Sequence, residues 1–188
     1  MPLAASSLYN SVGGRDIARY REGLSVECEL NCPQNDIIIL AADYDDLEEI
    51  LNLQYLAYQS EALLLNDYSI PPLKETLAEI QAQYRTGVFL KAVTAGGDIV
   101  GSVRGQVRDG TLHIGKLMVH PDFQGRGVGR RLLAEIESRC PQLRCELFTS
   151  DKSERNLALY ERVGYVRFSE RCISPDLRFV YLEKPGRR

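Results

Sequence analysis

The sequence predicts a single α/β (α+β) domain with a mixed, mostly antiparallel central sheet of about six or seven strands and about four helices. Two observations lead to this fold class. Short apolar runs are separated by turns at Gly96-Gly97 and Asp109-Gly110, which is typical of an antiparallel meander. Strands then alternate with helical periodicity in the second half, but too few times for a purely parallel sheet.

Each predicted element carries its own local signal. Residues 37–40 are rich in branched side chains and indicate a buried strand. Asp43 and Asp46 resemble a capping box that begins a helix ending near Tyr58, and Pro71-Pro72 begins a second helix ending near Tyr84. Further strands are predicted at 88–93, 99–107, 112–119, 146–149, 165–168 and 178–182, and further helices at 128–138 and 154–163.

The length of 188 residues suits one well-buried core with an extension. Residues 36–188 form the predicted domain, and residues 1–35 are an extension of unknown role that could serve a partner or a homodimer. A net charge of −3 gives no basic field for nucleic acid. Because no secretory signal or long apolar run is found, we expect a cytoplasmic protein with neither a nucleic-acid nor a membrane partner.

The five cysteines match no disulfide framework of a small secreted domain, so reduced thiols are expected. Cys28 and Cys32 have a spacing that could begin a metal site, but no second ligand pair follows them, and no metal is predicted. A covalent route through Cys140, Cys145 or Cys172 is chemically conceivable, although thiols of this kind are more often small buried apolar groups.

The most informative segment follows the predicted strand that ends at Val119. It is Gln124-Gly125-Arg126-Gly127-Val128-Gly129-Arg130, and it leads into an amphipathic helix. Glycines allow positive φ angles and close approach of the backbone to a ligand, and the first amides of a helix attract an anion. A pyrophosphate fits such a site, with Arg126, Arg130 and Arg131 as outer charge partners.

Two other phosphate-binding motifs do not fit this segment. A nucleotide-triphosphatase loop requires Gly, four residues, then Gly-Lys and Ser or Thr, and the chain contains no such string. The dinucleotide fingerprint fails because Arg130 stands where its third glycine should be.

Two motifs, in the expected order, carry a family resemblance. Gln124-x-x-Gly127-x-Gly129, preceded by Leu-Met-Val-His-Pro at 117–121, resembles the signature of the GNAT superfamily of N-acetyltransferases. Residues 156–165, Asn-Leu-Ala-Leu-Tyr-Glu-Arg-Val-Gly-Tyr, resemble that family's next motif. The resemblance spans 37–184. It implies a GNAT-like domain with strands splayed around a CoA cleft, acetyl-CoA as cosubstrate without a metal, and direct acetyl transfer in a ternary complex to an amine of a small molecule, peptide or protein.

The resemblance also implies roles for individual residues. The backbone of Leu117, Met118 and Val119 would pair with the pantetheine arm, residues 124–130 would hold the pyrophosphate, and Ser153 or Asn156 would reach the cofactor. Tyr160 would protonate the departing thiolate, and Glu146 would be the base that takes the proton of the amine. The alternative is a noncatalytic CoA-binding module for sensing or for assembly with a partner.

Several candidates remain beside these. Relative to the commoner form of the family's motif, two residues are inserted before Ser153, so the register of Glu146 stays open. Glu61 and Asp67 are rivals as the base or as ligands of a cationic acceptor. Tyr55, Tyr58 and Tyr68 could line an acceptor site or simply pack. His113, predicted to share a strand face with Leu117 and Val119, and His120, in the turn before Pro121, are the remaining acid-base candidates.

Overall fold

The computed structural model describes residues 37–141 and 143–186, and these form a seven-stranded sheet with helices on both faces. The strands are β1 (Ile38–Ala41), β2 (Val88–Val93), β3 (Ile99–Arg108), β4 (Thr111–Val119), β5 (Arg144–Ser150), β6 (Val166–Ser174) and β7 (Leu177–Lys184). The helices are α1 (Leu47–Ala57), α2 (Gln59–Leu65), α3 (Pro71–Lys74), α4 (Leu77–Tyr84), α5 (Val128–Arg139) and α6 (Glu154–Arg162), with 3-10 turns at Tyr44–Asp46 and Pro121–Phe123. The predicted extension, residues 1–35, lies outside the described residues.

The sheet has the strand order β1-β2-β3-β4-β5-β7-β6. Among the described strands, β4 and β5 form the one parallel pair, and every other neighbouring pair is antiparallel. The predicted fold class, a mixed and mostly antiparallel sheet, is therefore confirmed. None of the described helices is long and apolar enough to cross a membrane.

The helices differ from the prediction in number, because the described part of the chain holds six where about four were expected. One reason is α2, which occupies an interval predicted to be polar. The other is a break in the predicted second helix, where Glu75 is extended (ψ 133°) and Thr76 begins α4. The Thr76 hydroxyl accepts from the amide of Glu79, and the Glu79 carboxylate accepts from the amide of Thr76, so a capping box restarts the helix.

Each face of the sheet has its own apolar core. Leu132, Leu133 and Ile136 of α5 pack on one face together with Leu112 of β4. Helices α1 and α4 cover the other face, where buried residues include Ile50, Ile80, Phe89 and Met118. We call these the α5 face and the α1 face.

A β-bulge in β4 changes which side chains lie on which face. Gly115 pairs with Arg104 and Met118 pairs with Ser102, so two residues of β4, Lys116 and Leu117, oppose a single residue of β3. Lys116 adopts a positive φ of 52°, which accommodates the extra residue. The alternation of side chains therefore shifts by one position within the strand.

The bulge makes one sequence prediction wrong. Leu117 and Val119 pack on the α5 face with Leu112, whereas His113 precedes the bulge and lies on the α1 face. His113 therefore does not share a strand face with Leu117 and Val119. The alternation was assumed to be regular, and the extra residue at Lys116 breaks it.

The parallel pair of β4 and β5 separates after a short contact. Its pairing runs from Thr111 opposite Arg144 to His113 opposite Glu146. Beyond that point β4 continues to Val119 and β5 to Ser150 without pairing to each other. The two strands thus form a wedge, and the starts of α5 and α6, which follow these strands in the chain, flank its open end.

Candidate active site

The glycine segment forms a corner at the open end of the wedge. Gly125 and Gly127 have φ angles of 76° and 79°, so a side chain would be strained at either position, as the sequence predicts. A Cβ atom at either glycine would meet nothing within 4 Å, which leaves open space in front of the backbone. Gly129 lies inside α5 and does not have a positive φ.

The start of α5 presents free amide groups. Gly127 is the N-cap, and the first backbone hydrogen bond of the helix runs from the Arg131 amide to the Gly127 carbonyl (3.1 Å). The amides of Val128, Gly129 and Arg130 precede that bond and have no carbonyl one turn back to accept from them. Together with the helix dipole, they form a local environment that favours an anion.

The side chains of this corner have different tasks. Gln124 donates to the Val119 carbonyl (3.1 Å) and accepts from Arg155 of α6 (2.5 Å), so it joins the end of β4 to α6. Arg126 stacks over the ring of Phe123 at 5.0 Å, and Arg130 is exposed. These two arginines remain candidates for an outer contact with a phosphate.

Arg131, unlike Arg126 and Arg130, is engaged with another part of the domain. Its guanidinium donates to the carbonyl of Ile37 beside β1 (2.5 Å), a contact across 94 residues of sequence. Arg131 therefore fastens α5 to the start of the described chain, and the structure gives no support for its predicted role as a charge partner.

The strand segment predicted to pair with pantetheine borders the wedge. Met118 is buried on the α1 face, whereas Leu117 and Val119 pack on the α5 face. Because β5 has already separated, the edge of β4 beyond His113 has no strand partner on that side among the described residues. Its backbone groups can therefore pair with an extended ligand as another strand would.

Tyr160 lies on α6 and is only 7% exposed. Burial, with smaller contributions from Tyr58 and Glu61, raises the pKa of its hydroxyl well above the ordinary value of 10.0. Near neutral pH this hydroxyl is therefore protonated and can donate a proton or a hydrogen bond.

Ser153 and Asn156, the two predicted cofactor ligands of α6, form a chain of hydrogen bonds that ends on a carboxylate. The Asn156 amide donates to the Ser153 hydroxyl (2.9 Å), which donates to Glu61 of α2 (3.1 Å). Burial raises the pKa of Glu61 above its ordinary value of 4.5, although the bond from Ser153 opposes this. The fold therefore brings Glu61, a rival for the base, to the start of the helix that carries Tyr160.

Glu146 is placed differently. Its carboxylate accepts from Arg144 (2.8 Å) and lies 3.8 Å from His113, at the last paired position before the strands separate. At about 3.3 Å per residue, Leu117 lies roughly 13 Å farther along β4 than His113. Glu146 is therefore near the closed end of the wedge and is already paired with a cation.

Other candidates from the sequence lie apart from this group. Asp67 is exposed in the loop after α2 and accepts from the amide of Ser69 (2.7 Å), which is a turn contact. His120 caps the turn before α5 by accepting from the amide of Asp122 (3.3 Å). Burial raises the pKa of the Cys145 thiol, which disfavours the nucleophilic thiolate.

The cysteine pair singled out as the start of a metal site, Cys28 and Cys32, lies outside the described residues. Within residues 37–141 and 143–186, no three histidine, cysteine, aspartate or glutamate side chains lie close enough together to hold a metal ion.

The α1 face holds a buried polar network that sequence analysis missed. Arg104 of β3, 5% exposed, donates to Glu75 (2.9 Å) and to Gln54 (2.7 Å), and Gln54 donates to Glu75 (2.7 Å). Lys116 lies nearby, with its ammonium 5.5 Å from the ring centroid of Tyr58. A signal was present, because Arg104 interrupts a strand of otherwise small and apolar residues, and charged residues are rarely buried without a partner.

The chain is similar to known proteins in sequence and in fold. Residues 44–165, well over half of the chain, match the family described as Acetyltransferase (GNAT) family. UPF0157 protein YqkA of Bacillus subtilis (strain 168) is 29% identical over 118 residues, which cover 62% of this chain and 34% of that protein. The chain thus spans about a third of that relative's length.

Solved structures share the fold at low sequence identity. The ribosomal-protein-S18-alanine N-acetyltransferase from Escherichia coli has a TM-score of 0.65 at 16% identity, covering 79% of this chain and 93% of its own. The PaiA N-acetyltransferase from Thermoplasma acidophilum, in complex with coenzyme A, has a TM-score of 0.65 at 15% identity, covering 77% and 97%. The phosphinothricin acetyltransferase from Sinorhizobium meliloti, in complex with acetyl-CoA, has a TM-score of 0.64 at 16% identity, covering 80% and 88%. With the match over residues 44–165, these similarities identify the chain as a member of the acetyltransferase (GNAT) family.

Proposed function

We propose that this protein transfers an acetyl group from acetyl-CoA to an amine by direct attack within a ternary complex. The observation that carries the proposal is the wedge between β4 and β5, whose open end lies between the glycine corner of α5 and helix α6. A Cβ atom added to Gly129 would lie 3.7 Å from Val119 and 3.8 Å from Leu159, so the corner, β4 and α6 meet closely.

The residues around the wedge suit acetyl-CoA. The amides of Val128, Gly129 and Arg130 would hold the pyrophosphate, and the free edge of β4 from Leu117 to Val119 would pair with the pantetheine arm. Asn156 would contact the same arm from α6. Acetyl-CoA supplies the acyl group as a thioester, which an amine can attack without prior activation.

The transfer requires two proton movements. The amine nitrogen forms a bond to the thioester carbonyl carbon, the carbon–sulfur bond then breaks, and the sulfur leaves as a thiolate. The buried hydroxyl of Tyr160, whose pKa is raised, would give the thiolate its proton. A free ammonium with a pKa near 10.4 is about one part in 2,500 neutral at pH 7, so a base must take its proton before or during attack.

We favour Glu61 over Glu146 as that base. Glu61 connects through Ser153 to the helix that bears Tyr160, and burial raises its pKa toward the range in which a carboxylate is an effective base. Glu146 is held by Arg144 at the closed end of the wedge, away from the open end where the glycine corner and α6 lie. The cytoplasmic location and the homodimer stay predictions.

Release of free thiol from acetyl-CoA tests the proposal, measured with a panel of small amines, amino acids, amino sugars and peptides. The wild-type protein should release thiol with at least one acceptor class. Tyr160→Phe should lower turnover by about 100-fold while changing acetyl-CoA affinity less than about twofold, because only the leaving thiolate requires the hydroxyl. Tyr84→Phe is the matched control, since it removes a tyrosine hydroxyl that donates to the Ala42 carbonyl on α4's side of the fold.

Two results would contradict the proposal. If acetyl-CoA binds tightly but no acceptor in the panel releases thiol, the noncatalytic CoA-binding module is the better description. If Tyr160→Phe and Tyr84→Phe have equal turnover, Tyr160 is not the acid.

A further inference from the structure

Lys116 is a half-buried cation whose charge has no close partner. The bulge in β4 directs it to the α1 face, where its ammonium lies 5.5 Å from the centroid of the Tyr58 ring. Among the described residues it forms neither a salt bridge nor a hydrogen bond. Burial lowers its pKa, and Glu75 only partly offsets this effect.

The carboxylate whose charge acts on Lys116, Glu75, already has other partners. One oxygen of Glu75 accepts from Gln54 and Arg104, at 2.7 and 2.9 Å, and the other accepts from Gln83 at 2.6 Å. Glu75 therefore forms its salt bridge with Arg104, at 2.9 Å, and forms none with Lys116. The Nε atom of Arg104 also has no hydrogen-bond partner among the described atoms.

An excess buried charge is costly unless an opposite charge joins it. Arg104 has the carboxylate of Glu75 as its partner, whereas Lys116 has none among the described residues and is half-exposed, so a ligand can reach it. The arrangement therefore favours an anionic group supplied by a ligand.

A negative group also lies near Tyr58. Glu61 follows Tyr58 by three residues, and its charge, after burial, is the second cause that raises the pKa of the Tyr58 hydroxyl. Lys116 and the carboxylate that we propose as the base are therefore both neighbours of Tyr58. A small molecule that carries an ammonium and a carboxylate would match the charges of both groups.

We propose that the acceptor carries both an amine and a carboxylate, with the ammonium at Glu61 and the carboxylate at Lys116. The proposal rests on the proposed function, since it takes Glu61 to be the group that receives the amine. An aromatic patch on the same face of the sheet, formed by Phe148, Phe179 and Tyr181 with ring centroids 5.0 and 5.4 Å apart, offers an apolar surface to the remainder of the acceptor.

Binding to the protein saturated with CoA tests the recognition step without requiring turnover. Calorimetry would compare phenylalanine, phenylalaninamide and phenethylamine, and the aliphatic set alanine, alaninamide and ethylamine. The carboxylate member of at least one set should bind about tenfold or more tightly than its amide, because only the carboxylate forms a charged hydrogen bond with Lys116.

Variants then assign the effect to Lys116. Lys116→Met should remove the preference for the carboxylate, and Lys116→Arg should keep most of it because the charge remains. Lys74→Met removes an exposed lysine of α3 and should leave the preference unchanged. Unchanged CoA affinity shows that each variant is folded.

The outcomes separate the two proposals. Equal affinity for the members of both sets, absence of binding, or a preference that persists in Lys116→Met overturns the carboxylate site. Thiol release with phenethylamine but no carboxylate preference leaves acetyl transfer standing and removes the carboxylate site. A preference that depends on Lys116, without thiol release, supports the carboxylate site and removes the proposed transfer.

Discussion

The glycine corner and the proposed acceptor side of this protein are built in different ways. The proposed acceptor side comprises Glu61, Lys116 and the network of Arg104, Glu75 and Gln54. The corner consists of the consecutive residues 124–130, and its chemistry comes from backbone amides and two positive φ angles. The acceptor side depends on side chains that are distant in sequence, because Glu75 meets Gln54 across 21 residues and Arg104 across 29. A backbone site can therefore be recognised from local sequence, whereas a side-chain site forms only when the whole domain folds.

The two regions also differ in how their polar groups are stabilised. Gly125, Arg126 and Arg130 of the corner are exposed to solvent. The acceptor side keeps Arg104 and Glu75 away from water, so each is stabilised mainly by the other and by neighbouring amides. We therefore expect substitutions in the corner to affect mainly ligand binding, and substitutions in the network to affect mainly folding.

The largest effect is expected at Glu61, the proposed base. Glu61→Gln should lower turnover by about 100-fold or more, because the amide cannot take the proton of the amine. Glu146→Gln should stay within about threefold of wild type. In the wild type, activity should rise with pH through the pKa of Glu61, which lies above 4.5, and this acid limb should be absent from the residual activity of Glu61→Gln. The reverse order of the two variants would identify Glu146 as the base.

Glu61→Gln should lower turnover but raise folding stability at neutral pH. Folding raises the pKa of Glu61, so the folded protein binds this proton more tightly than the unfolded chain, and stability falls as pH rises from 4.5 through the folded pKa. Glu61→Gln should therefore unfold at a higher temperature than wild type at about pH 7 and lose this advantage near about pH 4. Asp67→Asn is the control, because hydrogen bonds from Ser69 lower the pKa of Asp67, and its substitution should not stabilise the protein at neutral pH.

Removing the cation of the buried network should cost folding free energy. Arg104→Met leaves the carboxylate of Glu75 buried without its main charge partner, and the expected loss is about 3 to 5 kcal/mol in urea denaturation. Arg139→Met breaks an exposed pair with Glu135 four residues away and should cost less than about 0.5 kcal/mol. Similar losses for the two variants would show that the buried Arg104–Glu75 pair contributes no more to folding stability than an exposed pair.

The corner should respond in binding and less in stability. Gly127→Val should weaken acetyl-CoA affinity by about 100-fold in calorimetry, because a branched side chain opposes a φ of 79° and fills the space before the amides. Gly97→Val imposes similar strain in the β2–β3 turn, where φ is 97° and a Cβ would also meet nothing within 4 Å. Both variants should lose about 1 to 3 kcal/mol of stability, but only Gly127→Val should lose affinity. Equal affinities would remove the corner from the cofactor site.

Much of the fold was predictable because its signals are local. The turns at Gly96-Gly97 and Asp109-Gly110, the capping box at Asp43 and the apolar stripe of α5 each act within a few residues. The break before α4 also has a local signal in the sequence, since Thr76 and Glu79 form a capping box. The apolar spacing around it nevertheless suggested one continuous helix.

The bulge in β4 shows where such reading becomes ambiguous. Its apolar positions change from Leu112 and Ile114 to Leu117 and Val119, a shift from even to odd numbers that is typical of one inserted residue. Met118 is also apolar and obscures the shift, because β4 is covered on both faces. Only the pairing with β3 reveals that two residues oppose one.

The sequence by itself determined the sheet class, the glycine corner and the family resemblance, because each depends on φ preferences, periodicity or spacing among neighbouring residues. The tertiary structure decided that Glu61 joins Ser153, that Arg104 is buried against Glu75, and that Lys116 lies over Tyr58. Those contacts join residues from separate helices and strands. The pKa values of their charged groups shift only after folding removes water from around them.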